Sequence, residues 1–130
     1  DLSLHTDPGA LVQIVTNFII NGIKHGKVED KDLVITLKAE EKENSVLLSY
    51  EDNGRGIENK HLPHIFEPFY TTSKNKGGSG LGLNIVYNLV TQTLKGTIHV
   101  ESVVDEYTKF IIEFPREIAL EKVFIKDLDK

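Results

Sequence analysis

The stretch Asn17-Phe18-Ile19-Ile20-Asn21-Gly22-Ile23-Lys24-His25 contains the residues on which the prediction of fold and function depends most. It lies in a predicted helix that begins at Pro8, with Asp7 as its N-cap, and continues to about Lys24. Apolar residues recur at helical spacing, which predicts a mostly buried helix. The apolar side is widened by Val12, Ile19 and Ile23.

One side of this helix is polar. At about 100° per residue, four side chains fall in a single wedge: Gln13, Asn17, Asn21 and Lys24. Buried amides need hydrogen-bond partners, so Asn17 and Asn21 either satisfy nearby backbone or face a ligand. In the second interpretation, Asn21 offers its carbonyl oxygen to Mg²⁺, which prefers oxygen ligands, and Lys24 reaches a phosphate.

Three further motifs follow along the chain. They are Asp52-Asn53-Gly54-Arg55-Gly56, Phe66-Glu67-Pro68-Phe69 and Gly78-Ser79-Gly80-Leu81-Gly82-Leu83. The first is either a tight Asn-Gly turn or the place where the Asp52 carboxylate accepts a hydrogen bond from the amino group of adenine. The second is either the hinge of a closing loop or a simple hydrophobic anchor. The third leads into a helix whose first N–H groups favour an anion.

Length and composition narrow the possibilities. A chain of 130 residues predicts one domain, and a net charge of −5 argues against a nucleic-acid partner. The chain contains no cysteine, which excludes disulfide and thiolate-metal sites. No apolar run approaches the ~20 residues that span a bilayer, so no direct membrane contact is expected. Because the chain starts at Asp1 and has no methionine, we expect a piece of a longer polypeptide.

The remaining pattern predicts an α+β fold. We expect a short first strand at Leu2 and Leu4, a hairpin of strands at 33–39 and 46–50, and a short helix at 59–65. A long irregular stretch at 66–80 precedes a second helix at 81–94 and two strands at 97–102 and 109–114. This order favours a two-layer α/β sandwich, in which a mixed, mostly antiparallel sheet is covered on one face by helices.

Together and in this order, the motifs resemble those of the catalytic ATP-binding domain of bacterial sensor histidine kinases, within the gyrase-type (Bergerat-fold) ATPase superfamily. Residues 17–25 resemble the N box of that family, residues 52–57 its G1 box, residues 65–72 its F box and residues 78–83 its G2 box. The resemblance covers about residues 2–115. It implies a catalytic domain at 1–115 and a C-terminal extension or linker at 116–130.

The resemblance also implies roles for individual residues. Asn21 would coordinate Mg²⁺, Asn17 and Asn21 would be the catalytic residues, and Asp52 would read adenine, while residues 70–80 would form a lid over ATP. Lys74 and Lys76 precede the glycine-rich turn and either approach the phosphates or are solvated. The full set expected to bind Mg-ATP is Asn17, Asn21, Lys24, His25, Asp52, Gly54, Gly56, Ile57, Thr71, Thr72, Lys74, Gly78, Ser79, Gly80, Leu81, Gly82, Leu83 and Thr108.

Two departures from the family pattern affect the pocket wall. The family usually has Gly-x-Gly-Thr before its last strand, and here Asp105-Glu106-Tyr107-Thr108 keeps only the threonine. The lysine that usually follows the Thr-Thr pair is Ser73 here, with Lys74 one place later. Sensor kinases phosphorylate a histidine on a separate helical dimerisation domain, and no histidine here has a suitable context. The implied partners are that domain and, indirectly, a response regulator, in a cytoplasmic setting.

Position 17 bears on the choice between kinase and hydrolase. Gyrase-type hydrolases carry a glutamate there as general base, and the amide of Asn17 cannot take a proton. A neutral histidine nucleophile needs no such base, which favours a histidine kinase. Two alternatives are a non-catalytic interaction module that kept the fold, favoured by the altered segment at 105–108, and a protein-serine kinase of the same superfamily. A serine hydroxyl would need a base near Asn17, which argues against the latter.

Overall fold

The computed structural model describes residues 7–70 and 82–116. Helix α1 (Pro8–Asn21) continues as a π-helical turn (Gly22–Gly26), and helix α2 (Gly82–Asn88) continues as a second one (Leu89–Thr93). A 3₁₀ turn spans Leu62–His64. The strands are β1 (Ile35–Glu41), β2 (Ser45–Asp52), β3 (Thr97–Val103) and β4 (Tyr107–Pro115).

The described strands form one sheet in the order β1-β2-β4-β3, and every neighbouring pair is antiparallel. Helices α1 and α2 pack together against one face of it. The predicted two-layer α/β sandwich is therefore confirmed. The predicted strand at Leu2 and Leu4 lies outside the described residues, as does the extension beyond Arg116.

The core lies between the helices and the inner face of the sheet. Strand β4 shows why, because Thr108, Phe110, Ile112 and Phe114 alternate with less buried residues, as the two-residue period of a strand requires. From α1, the ring of Phe18 stacks on Phe110 with centroids 4.7 Å apart. The same ring lies 5.4 Å from that of Tyr50 on β2. This aromatic cluster fixes the end of α1 over the centre of the sheet.

The beginning of α1 confirms the predicted cap. The Asp7 carboxylate accepts a hydrogen bond from the N–H of Ala10 at 3.2 Å, and Pro8 is the first helical residue. This cap satisfies one of the N–H groups that a helix start leaves without an intrahelical partner.

The prediction that α1 is buried on a wide apolar side was wrong in part. Val12 is 66% exposed and Ile23 is 57% exposed. At helical spacing both residues lie on the side opposite Ile14 and Phe18, which contact the sheet. On the edge strand β1, Leu37 is 43% exposed. The predicted helix at 59–65 is reduced to the 3₁₀ turn at 62–64.

Candidate functional site

The carboxylate of Asp52 lies at the end of β2 and is only 3% exposed. Its Oδ2 accepts a hydrogen bond from the hydroxyl of Tyr50 at 2.7 Å. Its Oδ1 accepts one from the backbone N–H of Gly54 at 3.0 Å. Each carboxylate oxygen has two lone pairs, so both retain capacity for a further donor. Asp52 is thus a buried, oriented acceptor that can take a hydrogen bond from a ligand.

The π-helical turn after α1 lies against this carboxylate. A Cβ atom added to Gly22 would be 3.2 Å from Asp52 Oδ2, and one added to Gly26 would be 3.4 Å from Oδ1. The two glycines therefore leave the room in which the carboxylate sits. Since Asn21 directly precedes Gly22, the structure brings the end of α1 close to the end of β2.

Asn17 lies one helical turn before Asn21. Its side-chain nitrogen is buried and, within the part of the chain that the structure describes, has no hydrogen-bond partner. A buried donor without an acceptor costs about 1–3 kcal/mol. A ligand rich in oxygen atoms would supply that acceptor. The other predicted residues of this segment are half-buried Asn21, exposed Lys24 and half-buried His25.

The turn after Asp52 is tied to other segments by hydrogen bonds. The Asn53 side-chain oxygen accepts from the N–H of Val34 at 2.8 Å, before β1. The N–H of Arg55 donates to the carbonyl of Gly26 at 2.8 Å. Gly56 adopts a φ of +76°, in the left-handed region that favours glycine. In place of the predicted Asn-Gly turn there is a bend at Gly54 and Arg55, and the N–H of Gly54 also holds the carboxylate in place.

Thr108 stands directly opposite Asp52 in the register of β2 and β4, and it is 6% exposed. Its hydroxyl lies 3.1 Å from that of Ser102, which accepts a hydrogen bond from the N–H of Ile57 at 2.7 Å. Thr108, Ser102 and Ile57 thus form one wall beside the carboxylate. A role of Thr108 in nucleotide binding stays a prediction.

The unusual segment before Thr108 keeps a regular hairpin. Asp105 adopts a φ of +65°, a conformation that aspartate tolerates better than most non-glycine residues. Its N–H donates to the carbonyl of Arg55 at 2.7 Å. The hairpin tip is therefore fastened to the turn after Asp52, although the glycines of the family pattern are missing.

Several predicted site residues lie outside the described residues: Thr71, Thr72, Lys74, Gly78, Ser79, Gly80 and Leu81. Of the last motif, Gly82 and Leu83 begin α2, and Leu83 packs against the core. Phe66 lies 6.2 Å from Phe110, which confirms the predicted aromatic anchor. Phe69 is 69% exposed, so the expectation that both aromatics are anchored in the core was wrong.

Sequence reasoning missed three residues that complete this site: Tyr50, Gly22 and Ser102. The sequence pattern places Tyr50 in the predicted strand at 46–50 and gives it no role in the site. Burial raises the pKa of Tyr50 well above its usual value, and the hydrogen bond to Asp52 and the charge of Asp52 raise it further. The available signal was the two-residue period of β2, which puts Tyr50 and Asp52 on the same face.

A protein-family model described as "Histidine kinase-, DNA gyrase B-, and HSP90-like ATPase" matches residues 6–118. The autoinducer 2 sensor kinase/phosphatase LuxQ of Vibrio vulnificus is 38% identical over 128 residues, covering 90% of this chain and 14% of that protein. Sporulation kinase A of Bacillus subtilis is 36% identical over 118 residues, covering 88% of this chain and 18% of that protein. The chain thus spans a minor part of these relatives.

Two solved structures extend the similarity to three dimensions. The nucleotide-free catalytic domain of histidine kinase ThkA has a TM-score of 0.75 and 28% identity, covering 89% of this chain and 74% of that one. Full-length ShkA in complex with AMPPNP has a TM-score of 0.75 and 29% identity, covering 88% of this chain and 23% of that one.

Across residues 7–70 and 82–116, no helix combines the length and apolar character needed to cross a membrane.

Proposed function

Because the chain belongs to the family of histidine kinase-, DNA gyrase B- and HSP90-like ATPases, we propose that it binds Mg-ATP and transfers the γ-phosphoryl group to a histidine on a separate dimerisation domain. Residues 1–115 form the catalytic domain in this proposal, and residues 116–130 form an extension or linker. A response regulator is the indirect partner, and the setting is the cytoplasm.

The observation that carries the proposal is the buried carboxylate of Asp52 beside the end of α1. Adenine has an exocyclic amino group that can donate to this carboxylate, whereas guanine presents a carbonyl oxygen at the equivalent position. The backbone N–H of Gly54 and the hydroxyl of Tyr50 hold the carboxylate in one orientation. A fixed acceptor favours the base that supplies a donor and disfavours the base that brings a second acceptor.

The polar side chains on one side of α1 suit the phosphate end of the nucleotide. The side-chain nitrogen of Asn17 lacks an acceptor among the described residues, and a phosphate oxygen would provide one. Asn21 would hold Mg²⁺ through its amide oxygen, and Lys24 would approach the phosphates from an exposed position. When bound, Mg²⁺ neutralises part of the phosphate charge that opposes attack by a nucleophile.

The same residues favour transfer over hydrolysis. An amide at position 17 cannot accept a proton from water, so an attacking water would lack a base there. A neutral imidazole attacks phosphorus with its own lone pair. A nitrogen–phosphorus bond forms, the bond from the γ-phosphorus to the β–γ bridging oxygen of ATP breaks, and ADP leaves with the electron pair on that oxygen. The chain would contribute mainly position and charge neutralisation.

We expect calorimetric titration to show that Mg-ATP binds with a dissociation constant between about micromolar and millimolar. Mg-GTP should bind about tenfold more weakly or worse, because its carbonyl oxygen faces the Asp52 carboxylate. The same titration distinguishes the alternative of a non-catalytic interaction module. A chain that gives no heat with either nucleotide, or equal affinity for both, would contradict the proposed pocket.

A further inference from the structure

The side chain of Tyr50 reaches along β2 to the carboxylate that the proposed function assigns to adenine. Its hydroxyl donates to Asp52 Oδ2 at 2.7 Å, and Tyr50 itself is 1% exposed. The ring is confined by Phe18 at 5.4 Å and by Phe110 at 6.1 Å between centroids. A ring packed between these neighbours has little freedom to rotate, so its hydroxyl keeps one position.

The π-helical turn that faces this ring has no side chain beside the Tyr50 hydroxyl, because residue 22 is a glycine. A Cβ atom on Gly22 would overlap the hydroxyl oxygen of Tyr50 and would lie 3.2 Å from the ring carbon that bears it. Gly22 is one helical turn beyond Phe18 on the same side of the helix. The ring of Tyr50 therefore packs under Phe18, and its hydroxyl occupies the space that a side chain at position 22 would need.

We infer that Tyr50 is a positioning residue for purine recognition, and that Gly22 is the glycine that makes room for its hydroxyl. This inference rests on the proposed role of Asp52 in reading adenine. A carboxylate can rotate about its last side-chain bond, and that torsion is broad. The hydrogen bonds from Tyr50 and Gly54 hold one oxygen each. The rotation is then fixed, and the remaining lone pairs keep their direction.

The hydroxyl is a dependable donor in this role. Burial, followed by the hydrogen bond to Asp52 and its charge, raises the pKa of Tyr50 well above the ordinary value for a tyrosine. The hydroxyl therefore keeps its proton at every pH at which nucleotide binding would be measured. Its contribution to orientation should not vary with pH in such experiments.

Tyr50→Phe removes the hydroxyl and keeps the packed ring. We expect the affinity for Mg-ATP to fall about tenfold, which is the scale of a hydrogen bond to a charged group. Affinity for Mg-GTP should change little, so the ratio of the two dissociation constants should shrink by about the same factor. Calorimetric titration of the wild-type and Tyr50→Phe chains with both nucleotides measures this ratio.

The matched control is Ile112→Val, which removes one methylene from a fully buried residue on the same face of the sheet. It lowers stability and should leave the ATP-to-GTP ratio at the wild-type value. A wild-type ratio in Tyr50→Phe would overturn the inference and leave the proposed function intact. A wild-type chain that does not prefer ATP would overturn the proposed function, and the role of Tyr50 with it.

A second experiment tests the fit between Gly22 and Tyr50 without nucleotide. Gly22→Ala should lower the urea midpoint of unfolding strongly in the wild-type chain. In Tyr50→Phe the same change should lower it much less, because the nearest remaining atoms would be 3.2 Å away. Such coupling between neighbours is what a double-mutant cycle detects. Equal shifts in the two backgrounds would show that the hydroxyl does not require a glycine at position 22.

Discussion

Asn21→Ala should lower phosphoryl transfer from ATP to the phosphoacceptor histidine by about a hundredfold or more. Asn21 is the last residue of α1, directly before the glycine that lies against Asp52. In the proposed site its amide oxygen is the chain's ligand for Mg²⁺, and alanine offers no oxygen in its place. The measurement is the amount of label passed from γ-labelled ATP to the dimerisation domain when both parts are supplied together.

Two comparisons make this result specific. Asn44→Ala makes the same chemical change in the exposed turn between β1 and β2, and it should leave transfer unchanged. Nucleotide affinity measured in the presence of a chelator should be similar in Asn21→Ala and the wild type, because the metal ligand is then irrelevant. Full transfer by the Asn21→Ala chain would end the proposed metal role of this side chain.

Gly54→Ala should have the largest effect on stability, lowering the free energy of unfolding by about 3 kcal/mol or more. A Cβ atom on Gly54 would overlap the carbonyl oxygen of Gly26, and it would lie 2.7 Å from the carbon of that carbonyl and 2.8 Å from its Cα. These are backbone atoms, which cannot turn aside as the end of a flexible side chain can. The adjacent hydrogen bond from Arg55 to Gly26 would be strained as well.

Urea unfolding followed by circular dichroism measures this effect. The matched control is Gly82→Ala, because a Cβ atom there meets no atom of the described residues within 4 Å. Its free energy of unfolding should stay within about 1 kcal/mol of the wild type, on the stabilising side, since alanine favours a helix. A loss of soluble folded protein in Gly54→Ala alone agrees with the prediction. Equal midpoints for the two variants would show that the turn and Gly26 are not in close contact.

The fold was predictable from the sequence because each element has its own periodicity. The alternation in β2 and β4 identified the buried residues Val46, Tyr50, Phe110 and Phe114. Residue spacing also predicted that Asp52 lies just after a strand ending at position 50, although β2 itself continues to Asp52. In each case the information is local, so a single sequence is enough to obtain it.

Other features depend on how elements meet. Val12 and Ile23 are apolar residues at helical spacing, yet only the packing of α1 on the sheet decides that they are exposed. The hydrogen bond of Tyr50 to Asp52 depends on the direction in which the Tyr50 side chain points along the strand, and the strand period does not specify that direction. The π-helical turn after α1 has no sequence signature of its own. These features become visible only in three dimensions.

The hydrogen bonds around residues 52–57 join segments that are far apart in the chain: the approach to β1, the π-helical turn after α1 and the tip of the hairpin between β3 and β4. No short fragment contains all of these partners, so the binding surface assembles only when the whole architecture does. Because the domain assembles cooperatively, binding of a ligand at this surface stabilises the whole domain. A nucleotide bound here would slow hydrogen exchange throughout both layers, in proportion to its concentration over its dissociation constant, instead of protecting one loop.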